Sequence, residues 1–586
     1  MLKDKNNDKL THRGIEEQFH LFYQLWSELL CTKTLDTYQY RVFYSINALK
    51  ELITVIENRL NGFYQTNDNV EVCQKECLEL VKNDYVIKTY YIHEYSLLLK
   101  YFGKRRETPA EQKTLKHQIS VIIAKMQSNY FNYLVCSLYE AISLHNSSLV
   151  VSLTNILVSY CINIGWSTKA LENKLQVFRT NSAPEEKWTT FIDSINHSAQ
   201  SEYCILINLF LKSSVLNMEQ ITEILADFDV MTKDYTTLCT EYSFAANKLK
   251  NRTYMAVNIT AFDIYSATMQ SLNKISEALN MLSFYNLISE WNIKDIKFIA
   301  LDFSRLSAKL ILPSDLYGTY DYLDSSSKIF EYTKHIFSNP YQKKLQNKLR
   351  GVFGYANISK NSLFQEEKYM NIWVALESLA RTDLCPNIIS NVLENVPSAL
   401  CIRYIYRLTR NFCEDLNRCD ITLADFQIDI NQEEKQELVF KVIDLFRSAD
   451  YASLLSKCSI NSLLHYRCED IHKLLTDLSY AWSRIKMHHD KIDWQLQRLY
   501  RIRNEIAHSA LQEKASLLIY IEHLFDYLST FVSEIVTRVG SESIISIEEV
   551  LMIIQGNYIE LASICSDKKS NLIIEDVLPR GIIELI

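Results

Sequence analysis

The chain has 586 residues, of which 48% are hydrophobic and 23% charged, the composition of a globular protein with room for three or four domain-sized units. Its formal net charge of −8 excludes a protein whose whole surface coats nucleic acid, although a local basic site stays compatible with it. The chain contains only 10 Gly and 7 Pro, where average usage would give about 41 and about 29. So few turn residues predict few hairpins and an all-α fold of long helices.

Apolar residues recur every three to four positions along the first half of the chain, which predicts successive amphipathic helices. The segment 202–212 is also compatible with a brief strand, but a helix fits its surroundings better. The predicted helical stretches of this half are 15–30, 39–63, 85–102, 115–140, 149–164, 202–212, 219–228, 236–250 and 262–290.

Turn residues concentrate between 312 and 362, where two of the seven prolines and three of the ten glycines fall. We therefore place the main boundary there. The predicted domains are an N-terminal helical domain with a sensor or regulatory role (1–312), a linker (313–362), a second helical domain (363–540) and a short C-terminal extension (541–586). Helices are predicted in and after the second domain at 363–381, 386–411, 432–448, 450–480, 481–508 and 511–538, with small elements at 545–565 and 570–586.

The chain is predicted to be a cytoplasmic protein that does not enter a membrane. The apolar run 149–166 contains Asn155 and Asn163, which a bilayer would penalise, so a buried core helix is favoured. The N-terminus lacks the apolar core of a signal peptide. Fourteen scattered cysteines without a CxxC pair indicate reduced thiols, and neither a metal site nor a cofactor is predicted.

An arginine followed five positions later by a histidine occurs three times. With 22 arginines and 13 histidines, chance placement predicts about half an occurrence, so the spacing alone is weak evidence and each pair could lie on a solvated helix face. The three pairs are Arg467/His472, Arg484/His489 and Arg503/His508.

Sequence context favours the third pair as a chemical site. The first pair encloses Glu469 and Asp470, which would repel a phosphate, and the second lies near a predicted helix boundary. The third contains the polar Asn504 and ends a stretch, 484–503, with six cations and two acids. On one regular helix its arginine and histidine would lie about 140° apart. They can converge only if the helix loosens near Ala507 or a second copy supplies the partner group.

A further unusual residue is Glu377, which lies on the apolar stripe of the predicted helix 369–381, four residues after Trp373. A half-buried carboxylate needs a cation or hydrogen bonds. Glu377 could therefore pair with any nearby base or backbone end, or it could orient a basic residue of the 498–508 segment, of which Arg503 is the first choice.

Two motifs resemble those of HEPN-domain proteins, in particular the Apea-like group of bacterial toxin and anti-phage systems. They are W-x-A-L-E-x-L at 373–379 and L-Y-x-x-R-N-x-x-x-H at 499–508, and the resemblance covers about 345–540. A segment at 163–175 is also similar to one that often precedes such domains. The family frequently has Gly after the histidine, where this chain has Ser509.

The resemblance implies a dimerising bundle of four or five helices in which Arg-x4-His motifs meet at the dimer cleft and cleave RNA without a metal, leaving 2′,3′-cyclic phosphate and 5′-OH ends. Its catalytic residues would be Arg503, His508 and Asn504. Arg498 and Arg501 would contact neighbouring phosphates, and Glu377 and Tyr500 would support the site.

The implied biological role is that of a toxin or abortive-infection effector against phage, acting as a homodimer or higher homo-oligomer with a composite site. Its N-terminal domain would bind a phage or cellular trigger or hold the nuclease inactive. Two alternatives stay open: a non-catalytic HEPN-like module for binding or assembly, and a helical scaffold with no HEPN relationship.

Overall fold

A computed structural model describes most of the chain. The described residues are 2–30, 43–64, 66–196, 200–213, 215–316, 327–362, 364–382, 387–430, 435–508, 517–541 and 546–566. They are mostly helical, as predicted. The predicted element 570–586 and the residue Ser509 lie outside the described residues.

The first two hundred residues form helices, in agreement with the periodicity of the sequence. Polar residues fix several of their starts. Thr108, for example, accepts a hydrogen bond from the Glu111 backbone and receives the Glu111 side chain in return, with Pro109 as the first helical residue. The helices are α1 (Asn7–His12), α2 (His20–Leu29), α3 (Ser45–Leu60), α4 (Asp68–Asn83), α5 (Tyr85–Tyr90), α6 (Ile92–Phe102), α7 (Pro109–Gln127), α8 (Tyr130–Ser143), α9 (Ser147–Ile164), α10 (Thr168–Lys174) and α11 (Pro184–Ile195).

Among the described helices, only α9 is long and apolar enough to pass for a membrane span, and 44% of its apolar window is buried inside the protein. It packs against α2 and α8. The amides of Asn155 and Asn163 donate to carbonyls one turn earlier, at 2.8 Å in both cases. This is the packing that the sequence predicted for a core helix.

The all-α prediction is wrong between residues 201 and 311, where the chain forms an antiparallel five-stranded sheet of order β2-β3-β1-β4-β5. The segment 202–212 is a strand in this sheet and not a helix. Two helices accompany the strands between β1 and β3, and one follows β3. The elements are β1 (Ser201–Lys212), α12 (Met218–Ala226), β2 (Val230–Lys233), α13 (Tyr235–Glu241), β3 (Tyr254–Ala261), α14 (Ile264–Phe284), β4 (Glu290–Asp302) and β5 (Ser307–Ile311).

The sequence pattern did not predict the strands because the centre of the sheet is buried on both faces. Ile205 and Ile207 of β1 face the main core, to which α14 belongs, whereas Cys204 and Leu206 pack with Leu238 of α13 on the other face. Such a strand is apolar at every position and lacks the alternation of a half-buried strand.

The hairpin between β4 and β5 was missed because its turn contains no glycine. The side chain of Asp302 accepts hydrogen bonds from the backbone of Ser304 and Arg305, at 3.0 and 3.2 Å. Leu306 then adopts a left-handed conformation with φ +47°. An aspartate turn thus replaces the glycine turn whose scarcity argued against hairpins.

Helices continue from residue 313 to the end of the described chain, including inside the predicted linker. They are α15 (Pro313–Leu316), α16 (Ser327–Ser338), α17 (Lys343–Asn361), α18 (Gln365–Ala380), α19 (Ile388–Ile402), α20 (Tyr404–Arg418), α21 (Lys435–Arg447), α22 (Tyr451–Cys458), α23 (Ser462–Thr476), α24 (Leu478–His508), α25 (Leu517–Ser541) and α26 (Ile547–Ser566).

The described part of 363–540 contains eight helices, α18 to α25, more than the four or five that the HEPN resemblance implies. They fall into two groups. Helices α18, α19, α24 and α25 pack against one another, with α17 and α26 against them, while α20 to α23 form a second group. A four-helix core that includes both motif-bearing segments is therefore present inside a larger helical assembly.

The N-terminal helices share one continuous hydrophobic core with the C-terminal bundle. At one junction α2 packs on α23, where the side chain of Gln24 accepts from the backbone of Leu463 at 2.9 Å. At another, α4 packs on α24. The domain boundaries proposed from the sequence stay a prediction, and the two halves meet through buried polar contacts.

Candidate functional site

The two segments that carry the resemblance lie against each other. Tyr369 on α18 donates from its hydroxyl to the carbonyl of Leu499 on α24 at 2.6 Å. One turn further along α18, the ring of Trp373 packs 5.9 Å from that of Tyr500. Both Tyr369 and Trp373 are fully buried. Tyr500 is thus a packing partner of the tryptophan helix, and its supporting role in the site stays a prediction.

Arg503 lies one turn beyond Leu499, near the end of α24, and is half-buried. Its Nη1 donates to the Oδ1 of Asn504 at 3.1 Å, which brings these two predicted site residues together. Its Nε has no exposed surface and no acceptor. Within the described parts of the chain, Arg503 has no carboxylate partner. Without a carboxylate partner the guanidinium charge is not neutralised in the described structure, so it can attract an anion, although the occluded Nε cannot bind that anion directly.

His508 is the last residue of α24, and its side chain lies outside the described residues. The helix is continuous through this position and shows no loosening at Ala507. The backbone positions of Arg503 and His508 therefore lie about 140° apart around the helix axis within one chain. Of the two ways in which they could converge, the local break does not occur, and a partner copy stays as the open alternative.

Arg498 and Arg501 do not face solvent: their relative exposures are 5% and 4%. Arg498 pairs through Nε with Glu51 on α3 at 2.9 Å and through Nη2 with Glu76 on α4 at 2.5 Å. Arg501 pairs with the other oxygen of Glu51 at 2.8 Å. In this arrangement the two arginines cannot touch phosphates as predicted, because contact with RNA would first require α3 and α4 to separate from α24.

This buried cluster is electrostatically tight. Burial on its own would raise the pKa of the Glu51 carboxyl, but Arg498 and Arg501 hold that pKa down at about 2. The guanidinium of Arg498 also lies 4.0 Å from the centroid of the Phe43 ring. Two arginines and two glutamates thus join the N-terminal helices to the turns of α24 that immediately precede Arg503.

Glu377 accepts a hydrogen bond from the indole nitrogen of Trp373 on its own helix, at 2.8 Å. It makes no ion pair with Arg503 among the described contacts. Its described partner is thus neither a base or backbone end nor a basic residue of the 498–508 segment, the two interpretations made from the sequence, but an indole on its own helix. Glu377 fixes the tryptophan that packs on Tyr500, so any influence on Arg503 is indirect.

The first of the other two Arg-x4-His pairs makes carboxylate, carbonyl and ring contacts, although the buried Nε of Arg467 has no acceptor among the described residues. Arg467 is buried between Asp415 at 3.0 Å and Glu28 at 3.3 Å. His472 bonds to the carbonyl of Phe446 at 2.8 Å and stacks on Tyr451. These contacts leave the pair a structural role.

The second pair is engaged in a similar way. Arg484 bonds to Asp470 at 3.2 Å, and His489 stacks on the ring of Tyr558 with 4.8 Å between centroids. Of the three arginines that begin the motif, Arg503 is thus the one without a carboxylate partner in the part of the chain that the structure describes.

Sequence reasoning missed Glu51 and Glu76, the two residues that decide the state of Arg498 and Arg501. The signal was the one that singled out Glu377: a carboxylate beside an apolar stripe. Glu51 adjoins the buried Leu52, and Glu76 adjoins the buried Cys77. The rule that a buried carboxylate needs a cation would have identified both, although not their partners.

No protein-family model matches the chain, no curated protein is significantly similar to it, and no solved structure matches it. Within the described residues, no group of three or more His, Cys, Asp or Glu side chains is placed to hold a metal ion.

Proposed function

We propose that the chain is a metal-independent endoribonuclease of HEPN type, with Arg503, Asn504 and His508 as its catalytic residues. One observation carries the proposal. Three arginines of this chain begin an Arg-x4-His motif, and the two that have carboxylate partners lie in the less favoured contexts. The third, Arg503, has no carboxylate partner in the described structure and bonds to Asn504.

The chemistry assigned to these groups is an internal transesterification. The 2′-hydroxyl oxygen of the RNA attacks the adjacent phosphorus, the bond from phosphorus to the 5′ oxygen breaks, and the products are a 2′,3′-cyclic phosphate and a 5′-OH. His508 moves the proton, since an imidazole titrates near neutral pH. Arg503 binds the phosphate oxygens as negative charge accumulates, and Asn504 orients the guanidinium.

A two-fold assembly is part of the proposal. Because α24 is continuous through His508, the backbone positions of the arginine and the histidine lie on different sides of the helix in one chain. Two copies related by a two-fold axis would place the arginine of each beside the histidine of the other. The proposed active form is therefore a homodimer, or a higher assembly of even number, with a composite site.

The N-terminal half fits a regulatory role in this proposal. Glu51 and Glu76 bind the turn of α24 that precedes Arg503, so a movement of α3 or α4 acts directly on the site. A phage or cellular trigger that binds the N-terminal half would use this connection. The proposed setting is a cytoplasmic toxin or abortive-infection effector.

A second candidate function is a non-catalytic HEPN-like module for binding or assembly. The burial of Arg498 and Arg501 in internal ion pairs favours it, because it removes two cations from the RNA surface expected of an active nuclease. It predicts that purified dimer leaves RNA uncut with or without a trigger.

The test is to induce the chain in bacteria and sequence the RNA 5′-OH ends. Wild type should be toxic and produce new 5′-OH ends, whereas Arg503→Ala/His508→Ala should produce neither. Purified His508→Ala should cleave RNA about 10²–10⁴-fold more slowly, the usual contribution of positioned proton transfer.

The matched control is Arg105→Ala/His93→Ala, which removes the same two residue types from exposed positions in the loop between α6 and α7 and on α6. It should behave like wild type. Near-full cleavage by His508→Ala, or equal 5′-OH ends from wild type and the catalytic double variant, would contradict the proposal.

A further inference from the structure

The outer surface formed by α16, the turn Pro340–Gln342 and α17 exposes an unusual number of aromatic and large apolar side chains. We call it the α16–α17 face. Its inner side packs on α18 and α25. Its most exposed large side chains are Phe330 (61%), Tyr341 (81%), Phe353 (40%), Tyr355 (39%) and Ile358 (52%).

The same face is basic in an acidic protein. Helix α17 has five Lys or Arg residues and no Asp or Glu, whereas the whole chain has a net charge of −8. Lys348 is used internally, since it donates to the carbonyls of Ser378 and Arg381. Lys343 and Arg350 are exposed, and the guanidinium of Arg350 lies 5.3 Å from the centroid of the Phe337 ring. Cations thus alternate with aromatic rings along this surface.

Two of the chain's ten glycines lie inside α17, and no atom of the described residues requires a glycine at either position. A Cβ added at Gly351 or Gly354 would meet no atom within 4 Å. Glycine inside a helix is destabilising relative to alanine, so its retention at an open surface calls for a reason outside the fold. The close approach of another molecule to the helix backbone is such a reason.

The α16–α17 face is mechanically connected to the candidate site. The C-terminal end of α17 packs on the start of α18, where Ser359 donates to the carbonyl of Lys368 at 2.8 Å and Lys368 donates back to that of Ser359 at 3.1 Å. The next residue, Tyr369, bonds to Leu499, one turn before Arg503. The site and the face thus share α18 as a common support.

We propose that the α16–α17 face binds single-stranded RNA. Exposed rings stack on bases of any sequence, neighbouring cations pair with phosphates, and the glycines let the sugar–phosphate backbone approach the helix. That this RNA is the substrate of the Arg503 site rests on the proposed function. The face then takes the role that the buried Arg498 and Arg501 cannot fill in the described arrangement.

Charge complementarity selects RNA over a protein partner. A docking face for a protein would tolerate mixed charges at its rim, whereas the charged residues of α17 are all cations, of which Lys344 pairs with Glu548. The exposed Glu331 on α16 is paired with Lys334. Single-stranded nucleic acid is the macromolecule that combines regular negative charge with unstacked rings.

The first test measures binding without cleavage. Full-length protein carrying Arg503→Ala is titrated into a fluorescent single-stranded RNA of mixed sequence, and fluorescence anisotropy is recorded at several salt concentrations. Adding Lys343→Gln/Arg350→Gln should weaken binding and lower the slope of log affinity against log salt by about 1.4, at about 0.7 for each lost phosphate contact. Adding Tyr355→Ala should weaken binding by about fivefold or more.

The matched control is Lys100→Gln/Lys113→Gln, which removes two exposed lysines from α6 and α7. It changes the net charge equally and should leave the slope unchanged. Thermal unfolding of each variant checks that the fold is intact. Equal loss of affinity in the control and in the α17 variant would overturn the proposal, because it would indicate a general effect of net charge.

The second test uses the glycines, because replacing one should change stability and RNA binding in opposite directions. Gly354→Gln should keep or raise the unfolding temperature, since glutamine is the better helix former and its Cβ meets open space. It should nevertheless weaken RNA binding. Unchanged RNA affinity in both Gly354→Gln and the α17 charge variant would overturn the proposal.

These outcomes are separable from those of the proposed function. If RNA is cut in an Arg503-dependent way but the α17 variants bind RNA as tightly as wild type, the RNA-binding proposal for the α16–α17 face is overturned and the nuclease proposal stands. If the α17 variants lose RNA while wild type never cuts it, the face stands and the nuclease proposal fails. If the variants change only the self-association of the chain, measured by light scattering, the face is a protein interface and the RNA proposal is overturned.

Discussion

Five arginines of the C-terminal half fall into two classes: four are paired with carboxylates, and the fifth, Arg503, is not paired with one in the described structure. Arg467, Arg484, Arg498 and Arg501 each bond to at least one carboxylate, three of them at buried positions. Arg503 bonds only to a neighbouring amide among the described contacts. The difference teaches that an arginine-rich segment is not by itself a phosphate site. A guanidinium enclosed by carboxylates holds helices together, and one without them stays available to a ligand.

Removing a paired arginine should have the largest effect on stability. Arg467→Ala leaves Glu28 buried without this cation and leaves Asp415 with Arg418 alone, and breaking a buried pair from one side typically costs about 3–5 kcal/mol. The midpoint of urea unfolding, followed by circular dichroism, should fall accordingly.

Arg503→Ala is the matched substitution on the other side of this comparison. It removes no ion pair seen in the described structure, so its free energy of unfolding should stay within about 0.5 kcal/mol of that of wild type. Equal losses of stability in the two variants would mean that Arg503 also has a structural partner, and the contrast between the two classes of arginine would disappear.

The junction between α3, α4 and α24 should be sensitive to acid through Glu51. Its folded-state pKa of about 2 lies below the ordinary value of 4.5, so the ionised carboxylate stabilises the fold above pH 4.5. A shift of one pKa unit corresponds to about 1.36 kcal/mol, so this contribution to the free energy of unfolding is roughly 3 kcal/mol. It is lost as the pH falls from 4.5 towards 2.

Glu51→Gln is the variant that tests this dependence. It should be less stable than wild type at pH 7, and the difference should shrink progressively as the pH falls below 4.5. The measurement is a series of urea unfolding curves from pH 7 to pH 3 for both proteins. A difference in stability that stays constant over this range would show that Glu51 is not the titrating group.

The helices could be predicted from the sequence and the sheet could not, for identifiable reasons. Helix α9 has a clear apolar periodicity, and its capping asparagine precedes it in the sequence. Strand β1 is buried on both faces and looks like any apolar run. The β4–β5 turn relies on Asp302 and on a left-handed Leu306, which no composition argument anticipates.

The candidate site divides in the same way. The two motifs that carry Trp373 and Tyr500 are local patterns, and the selection of Arg503 over Arg467 and Arg484 followed from local context, whereas the contact between the two rings comes from the structure. The burial of Arg498 did not follow from local context, because its partner Glu51 lies 447 residues earlier in the chain. Local patterns describe which residues want a partner, whereas only the tertiary structure assigns the partner.

The smallest expected effect concerns Glu377, which distinguishes support of the tryptophan from direct control of Arg503. Glu377→Gln keeps an oxygen that can accept from the Trp373 indole, so the packing against Tyr500 should persist and stability should change by no more than about 0.5 kcal/mol. RNA cleavage by the purified variant, at matched protein concentration, should stay within about threefold of wild type, because no charge that touches Arg503 is removed. The companion variant is Glu377→Ala, which removes the acceptor altogether. It should lower the free energy of unfolding by ~1 kcal/mol, the usual net contribution of a hydrogen bond. A large loss of cleavage in Glu377→Gln with an unchanged midpoint would instead place the carboxylate in the active form beside Arg503, and the arginine would then belong with the paired class after all.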